Sequence, residues 1–279
     1  MVSKSTISKT YESIIDKQQK WADQRSIEHD KAGYVLSLTK NLYRPLFPET
    51  LDEFKKGKGD ELGSKMLALH SSSALVVNVF DYWRYLGKAD VIAEACGVPS
   101  RLTNIKFEQT YPIIHIRGTP PHLDIEFSIP GSNFISVVES KFTEPYYRHT
   151  KRSIKEKYFN IPGLWSQIPN CARLAQRIRE ESRSKISFIY LDAPQLLKHI
   201  LGLTCSKSGT QNFEITYLWY EKHSSEADRH QFEIQKFKEL VGGEVHFRSM
   251  TYQKLFENIK KSVLADDDYL EYIGQRYFS

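Results

Sequence analysis

Cysteine is scarce in this chain. The three residues present, Cys96, Cys171 and Cys205, lie far apart and in no CxxC or Cys/His spacing, which excludes a disulfide framework and a zinc site built on paired cysteines. A reducing cytoplasm is the default compartment for such a composition. Long apolar runs are missing too: Ala74-Leu75-Val76-Val77 is cut short by Asn78, and the polar opening Met1-Val2-Ser3-Lys4-Ser5-Thr6 leads into no apolar stretch. The expectation is a chain that neither spans a membrane nor is exported. There is no internal repeat, and no large excess of one charge. The net charge of +5 over 279 residues, with a sequence pI near 8.9, is compatible with a polyanionic partner without demanding one.

What the chain does have is enough apolar residues, 40% of the total, to bury one substantial core. Apolar spacing at Tyr11, Ile14, Ile15 and Trp21 predicts an amphipathic helix that continues to about Asp30, after which Pro45 and Pro48 break the chain. Lys55-Lys56-Gly57-Lys58-Gly59 reads as a basic loop before one long helix from about Asp60 to Leu86. Strands are expected at Asn104 to Tyr111, at the two arms of a hairpin over 122–141, at Phe213 to Tyr220 and at Glu244 to Phe247. The β-branched and aromatic Phe213 to Tyr220 segment, with no polar alternation, reads as an interior strand. Helices are expected at Leu164 to Glu181, broken by Pro169, and at Asp192 to Leu203, with Asp192 as N-cap and Gly202 near the end. Ala227 to Val241, Thr251 to Leu264 and Asp268 to Tyr277 complete the set. Ile186 to Tyr190 is ambiguous between strand and helix start. This divides the chain into a helical N-terminal extension (1–59), an α/β core (60–255) and C-terminal helices packed on it (256–279).

The hairpin His122–Lys141 carries most of the functional information. If Gly131-Ser132 form a type II′ loop, with Gly131 supplying the positive φ, then Pro130 faces Asn133 and counting outward puts Asp124 opposite Glu139. Alternation places Lys141 on the same face as Glu139, beside His122 across the ladder. Two carboxylates about 5 Å apart repel by roughly 1 kcal/mol in water and about 3 kcal/mol at an effective dielectric near 20. A fold does not select that pairing for stability. A hard divalent cation between the oxygens turns repulsion into attraction, because Mg²⁺ is held by one or two carboxylates plus waters and phosphate oxygens. A solvated hairpin with surface charges is the plain alternative.

Asp124 followed by Glu139-Ser140-Lys141, in strand, turn and strand, resembles the PD-(D/E)XK nuclease superfamily. Pro120-Pro121 stands where that family's proline is displaced from the Asp. A closer resemblance is to a restriction-endonuclease-like branch, carried by Ser71-Ser72-Ser73-Ala74-Leu75-Val76-Val77-Asn78-Val79-Phe80, Phe107-Glu108, Asp124 and Glu139-Ser140-Lys141-Phe142-Thr143-Glu144. The resemblance implies an α/β fold, the restriction-endonuclease-like αβββαβ sandwich around a central mixed sheet. It implies a Mg²⁺- or Mn²⁺-dependent DNA endonuclease, in restriction or another defence against foreign DNA, with Asp124, Glu139 and the Ser140 backbone carbonyl holding the ion and Lys141 positioning or deprotonating the nucleophile. An RNA- or repair-directed nuclease, and an inactive nucleic-acid-binding module on the same scaffold, are the competing readings.

Outside that motif, Glu108 on the preceding strand either completes a second metal position or pairs with a nearby cation. Glu144 fits the branch pattern or caps a turn. Gln195, near the start of its helix, is either a contact to the site or phosphate, or a surface glutamine. For Ser72 and Asn78 the expectation is helix-to-sheet hydrogen bonding. The segment Tyr146 to Tyr158 follows the motif with Arg148, Lys151, Arg152, Lys155 and Lys157 against Glu156, and with tyrosines at both ends. It reads as a phosphate-tracking segment with aromatic faces for unpaired bases, or as a solvated loop. Arg173, Arg177, Arg179 and Arg183 are weaker candidates on one helix. Asp266-Asp267-Asp268 is expected to cap the last helix rather than bind metal. Cutting both strands of a duplex favours a homodimer with two-fold symmetry.

Overall fold

The computed structural model of the chain describes residues 8–57, 60–98, 102–149, 153–181, 188–262 and 264–279. Helix α1 (Lys9–Asp23) starts where Ser8 accepts a hydrogen bond from the Tyr11 amide, and buries Ile14, Gln18, Trp21 and Ala22 along one face. It stops seven residues short of Asp30. Beyond Ala22 the pattern offers no further residue to bury at helical spacing, and tertiary packing, not propensity, sustains a helix. Pro48 opens helix α2 (Pro48–Lys56) in its first turn instead of breaking structure. Lys55 and Lys56 are therefore helical, Gly57 is the C-cap, and Lys58-Gly59 lie outside the described residues.

The expected long helix from Asp60 is shorter. Residues 60–71 form turns with one 3-10 turn at Lys65–Leu67, and α3 spans Ser72–Tyr85, because the Ser71 hydroxyl accepts from the Ala74 amide and caps it. A run of three serines offers backbone groups a side-chain partner outside the helix and so marks a start rather than an interior. Helix α4 (Ala89–Ala95) leads to strands β1 (Asn104–Thr110), β2 (His122–Ser128) and β3 (Ile135–Lys141). Helix α5 (Pro169–Glu180) begins at Pro169 rather than being broken by it. Phe188 to Tyr190 is neither helix nor strand, and Ile186-Ser187 lie outside the described residues.

Helix α6 (Ala193–Lys207) is capped by Asp192, as expected, but runs past Gly202. A Cβ on Gly202 would sit 2.5 Å from the Tyr111 carbonyl oxygen, so this glycine lets the helix lie against the chain leaving β1. Gly202→Ala is expected to cost about 1–3 kcal/mol from overpacking, against the roughly 1 kcal/mol that alanine gains in an unconstrained helix. A denaturation midpoint equal to or above that of the unmodified protein would contradict the close approach. Strand β4 (Phe213–Trp219), α7 (Ser225–Val241), β5 (His246–Thr251), α8 (Tyr252–Ile259) and α9 (Asp267–Ile273) follow. Asp266 caps α9 through the Tyr269 amide, and a π-helical turn, Gly274–Phe278, closes the chain.

Among the described residues five strands make one mixed sheet in the order β1-β2-β3-β4-β5. β1, β2 and β3 are antiparallel neighbours, while β3, β4 and β5 run parallel. The parallel steps need crossovers, supplied by α5 and α6 between β3 and β4 and by α7 between β4 and β5. β3 is buried at every position and β4 at all but Glu214, in keeping with the interior strand expected there. The β2–β3 ladder pairs Ile125 with Val138 and Ser128 with Ile135, the register expected from counting. The turn chemistry differs. Ser132 N donates to Ile129 O and Gly131 has φ +80°, so Pro130-Gly131 are the central residues of a type II-like turn. Proline suits the first central position and glycine the second. Residues of α1, α2, the sheet and α9 share one buried cluster. Among the described residues no helix is long and apolar enough to cross a membrane.

Candidate active site

The paired part of the β2–β3 ladder ends at Ile125–Val138, and Asp124 and Glu139 are the next residue of each strand beyond it. Asp124 Oδ2 accepts a 2.6 Å hydrogen bond from the Ser140 amide, which fixes the carboxylate beside β3. Glu139 is 3% exposed. Its Oε1 accepts from Lys141 Nζ at 2.6 Å, and its Oε2 lies 3.3 Å from Nδ1 of His199 on α6, close enough for an ion pair but off hydrogen-bond alignment. The Lys141 carbonyl accepts from Tyr220 on the β4 side. Successive strand carbonyls alternate, so the Ser140 carbonyl faces the β2 side, where Asp124 sits. The Ser140 hydroxyl is paired with Tyr252 at 2.6 Å.

Glu108 joins from β1. Its neighbours Phe107 and Gln109 pair with Ile125 and Leu123, so it falls across from Asp124, and its φ is +52°. A left-handed glutamate in mid-strand is a strained position of the kind that clusters at functional sites. His122 Nδ1 is 3.9 Å from its Oε2. Burial, then the nearby carboxylates Glu61 and Glu139, push the Glu108 carboxyl up to about 7. Burial likewise, with Glu139 and Glu108 adding repulsion, pushes Asp124 well above the carboxylate range, against the pull of Lys141 and the Ser140 amide. For Glu139 burial acts upward as well, but Lys141 and His199 outweigh it and bring the carboxyl to about 2. Burial opposes the Lys141 ammonium, yet Glu139, Glu144 and Asp124 hold it firmly protonated.

Three acidic side chains thus repel one another around one ammonium. Among the described residues no group of three or more His, Cys, Asp or Glu side chains is placed to hold a metal ion by itself. The donors that do converge, hard carboxylate oxygens with spare lone pairs and a strand carbonyl, suit Mg²⁺ or Mn²⁺, which keep water and phosphate in their coordination shells. Burial first, and then repulsion from Glu139 and Glu108, raises Asp124, and a cation between these carboxylates would answer both.

Other sequence candidates fall into place unevenly. Glu144 accepts from the Ser72 hydroxyl, 2.8 Å to each oxygen, and from the Phe142 amide at 2.9 Å, so it caps the turn after β3 and ties α3 to the strand bearing Lys141. Asn78 does not reach the sheet. It binds Tyr43 N, Asn41 O and the Tyr277 hydroxyl, because α3 is wedged between the N-terminal segment and the C-terminal turn. The Gln195 side chain makes no hydrogen bond to a described residue; its amide N completes the Asp192 cap. One turn on, His199 makes the contact to Glu139 instead. A histidine on an otherwise apolar helix face, among Leu196, Leu197 and Ile200, is the sequence signal that identifies it.

Glu233, fully buried on α7, accepts from the Ile189, Tyr190 and Leu191 amides at 2.9, 2.9 and 3.0 Å and so anchors the chain entering α6, a role with no sequence signature. In the basic segment Arg148 and Lys155 are exposed, and Lys151 and Arg152 lie outside the described residues. Tyr146 and Tyr158 are buried in the core and cannot stack on bases, since their rings fill the space beneath the segment. Arg173 bonds Asn170, and Arg177 and Arg179 pair with Glu181 and Glu156, as expected of a solvated helix face; Arg183 lies outside the described residues.

Among known families, the one described as Restriction Endonuclease associating with ARP matches residues 15–278. No curated protein and no solved structure matches the chain significantly.

Proposed function

Because the chain belongs to the family of restriction endonucleases associating with ARP, and its five-stranded mixed sheet with flanking helices is a restriction-endonuclease-like fold, we propose that it is a divalent-metal-dependent endonuclease that hydrolyses phosphodiester bonds in DNA. The observation that carries this reading is the Asp124 carboxylate seated on the Ser140 amide beside the buried Glu139–Lys141 pair. Asp124, Glu139 and the Ser140 carbonyl would hold Mg²⁺ or Mn²⁺, which when bound neutralises charge on phosphoryl oxygens and acidifies water. Lys141, kept protonated by the surrounding carboxylates, supplies a fixed positive charge for the attacked phosphate and orients the nucleophile. His199 and Lys141 hold the Glu139 carboxylate from opposite oxygens. Glu108 provides a further carboxylate on the third strand. Arg148, Lys151, Arg152 and Lys155 supply cations for the flanking backbone, and Gln195 stands one helical turn from His199. Scission of both strands favours a two-fold homodimer, and association with ARP is proposed on the family's description alone.

The test is incubation of the purified protein with supercoiled, linear and single-stranded DNA and with RNA, with Mg²⁺, Mn²⁺ or a chelator. Cutting of duplex DNA that requires the metal is expected. Cutting of RNA alone would redirect the proposal to an RNA nuclease, and tight DNA binding with no cutting under either metal would replace it with an inactive binding module.

A further inference from the structure

A second concentration of charge lies where α1 meets the chain leaving β4 and the C-terminal turn. A cavity of about 380 Å³ there is lined by Lys17, Lys20 and Lys222, with Asp16 as the acidic side chain among its walls. Among the described residues none of the three lysines forms an ion pair. Lys17 is half-buried and its ammonium donates to neutral oxygens only, the Tyr277 carbonyl at 2.9 Å and the Tyr220 hydroxyl at 3.5 Å. Behind the cavity, the Arg276 guanidinium lies 4.5 Å from the ring of Trp21, another lining residue, and has no carboxylate partner among the described residues. Burial first and the like charge of Lys222 second lower the Lys17 ammonium to about 8. A partly desolvated cation with Lys20 three residues on along the same helix and Lys222 lining the same open cavity is a costly arrangement that an anion would relieve.

We propose that this cavity binds a phosphate group. Lysine ammoniums are compact donors suited to phosphate oxygens, and the cavity has room for the group with its hydration or an attached sugar. Its location suggests the source. Tyr220, which contributes its hydroxyl to Lys17, donates its amide to the carbonyl of Lys141, so the cavity stands one strand from the proposed cleavage site, at the same end of the sheet. An internucleotide phosphate of a bound strand is the source this favours; a free nucleotide or inorganic phosphate offers the same chemistry.

The test uses the full chain in metal-free buffer, so that it does not depend on cutting. Calorimetric titration with inorganic phosphate, with a mononucleotide and with a short DNA duplex is compared between the unmodified protein, the double variant Lys17→Gln/Lys222→Gln and the single variant Lys222→Glu, which alters an exposed residue and preserves the fold. Duplex affinity is expected to drop about tenfold with a shallower salt dependence. A loss of phosphate or mononucleotide binding with unchanged duplex affinity would also support the site and assign it to a free ligand. Unchanged affinity for all three ligands in folded Lys222→Glu and in the double variant would overturn the proposal, whether or not the protein cuts DNA.

Discussion

Asp124→Asn and Lys141→Ala are both expected to abolish metal-dependent cleavage while moving stability in opposite directions. Asparagine keeps an oxygen for the Ser140 amide but removes a charge that Glu139 and Glu108 repel, so the variant should gain stability on the order of 1 kcal/mol. Alanine at position 141 leaves Glu139, 3% exposed, facing two carboxylates with its close ammonium gone, and should cost about 3 kcal/mol. Activity should fall roughly 100- to 1000-fold or more in each, the scale of losing a transition-state charge partner worth a few kcal/mol. The sign with pH follows from linkage. A carboxyl raised on folding binds its proton more tightly in the folded state, so its penalty is full above the folded value and is lost as the pH falls from there to the ordinary carboxylate range. The stability gap between Asp124→Asn and the unmodified protein should therefore close on acidification. Active Asp124→Asn, or an Asp124→Asn variant less stable than the parent at neutral pH, would remove the charge cluster from the mechanism.

Arg276→Met is expected to be the most destabilising substitution far from the site. The guanidinium is completely buried, and all five of its N–H donors are used: Nε to Gln18 Oε1, Nη1 to Asn41 O and the Tyr272 hydroxyl, Nη2 to Asn41 Oδ1 and Leu69 O. Rings of Trp21 and Tyr277 lie 4.5 and 4.8 Å away. These partners belong to α1, the segment between α1 and α2, the turns before α3, and α9 with its π-helical turn, so one side chain fastens both ends of the chain to each other. Methionine would fill the volume but leave several buried acceptors unpaired, each costing about 1–3 kcal/mol, for a total of about 3–5 kcal/mol after relaxation. A chain of this length should then melt roughly 10 °C lower. Arg276→Lys, which retains charge but loses the planar fork, should recover only part of this. A melting point within about 2 °C of the parent for Arg276→Met would show that the network contributes little to holding the termini.

How legible these features were depended on the range of the interactions behind them. The hairpin register was readable because alternation and a short turn are local. Pro130-Gly131 in place of Gly131-Ser132 changed the turn without moving a pair, because the connection runs on through Ser132, Asn133 and Phe134 before β3 begins and so restores the offset. The stretch 60–71 was not readable as turns, because its apolar spacing imitates a helix and only the Ser71 cap on α3 shows where helix begins. Gly202 signals a helix end in isolation, yet the helix runs on, since the glycine's purpose is a backbone contact with Tyr111, 91 positions away. Tyr146 and Tyr158 look like stacking surfaces beside cations until the core is seen to claim them.

The order of residues alone determined the mixed α/β class, the pairing of the β2 and β3 arms and the common face of Asp124, Glu139 and Lys141, because a period of two and a short glycine-containing turn act over a few positions. Tertiary structure decided the rest: His199 on Glu139, the left-handed Glu108 across from Asp124, the carbonyl cage of Arg276 and the three-lysine cavity. Each of these depends on burial and on partners tens to hundreds of positions apart, and the energy of a charge is set by what surrounds it in space.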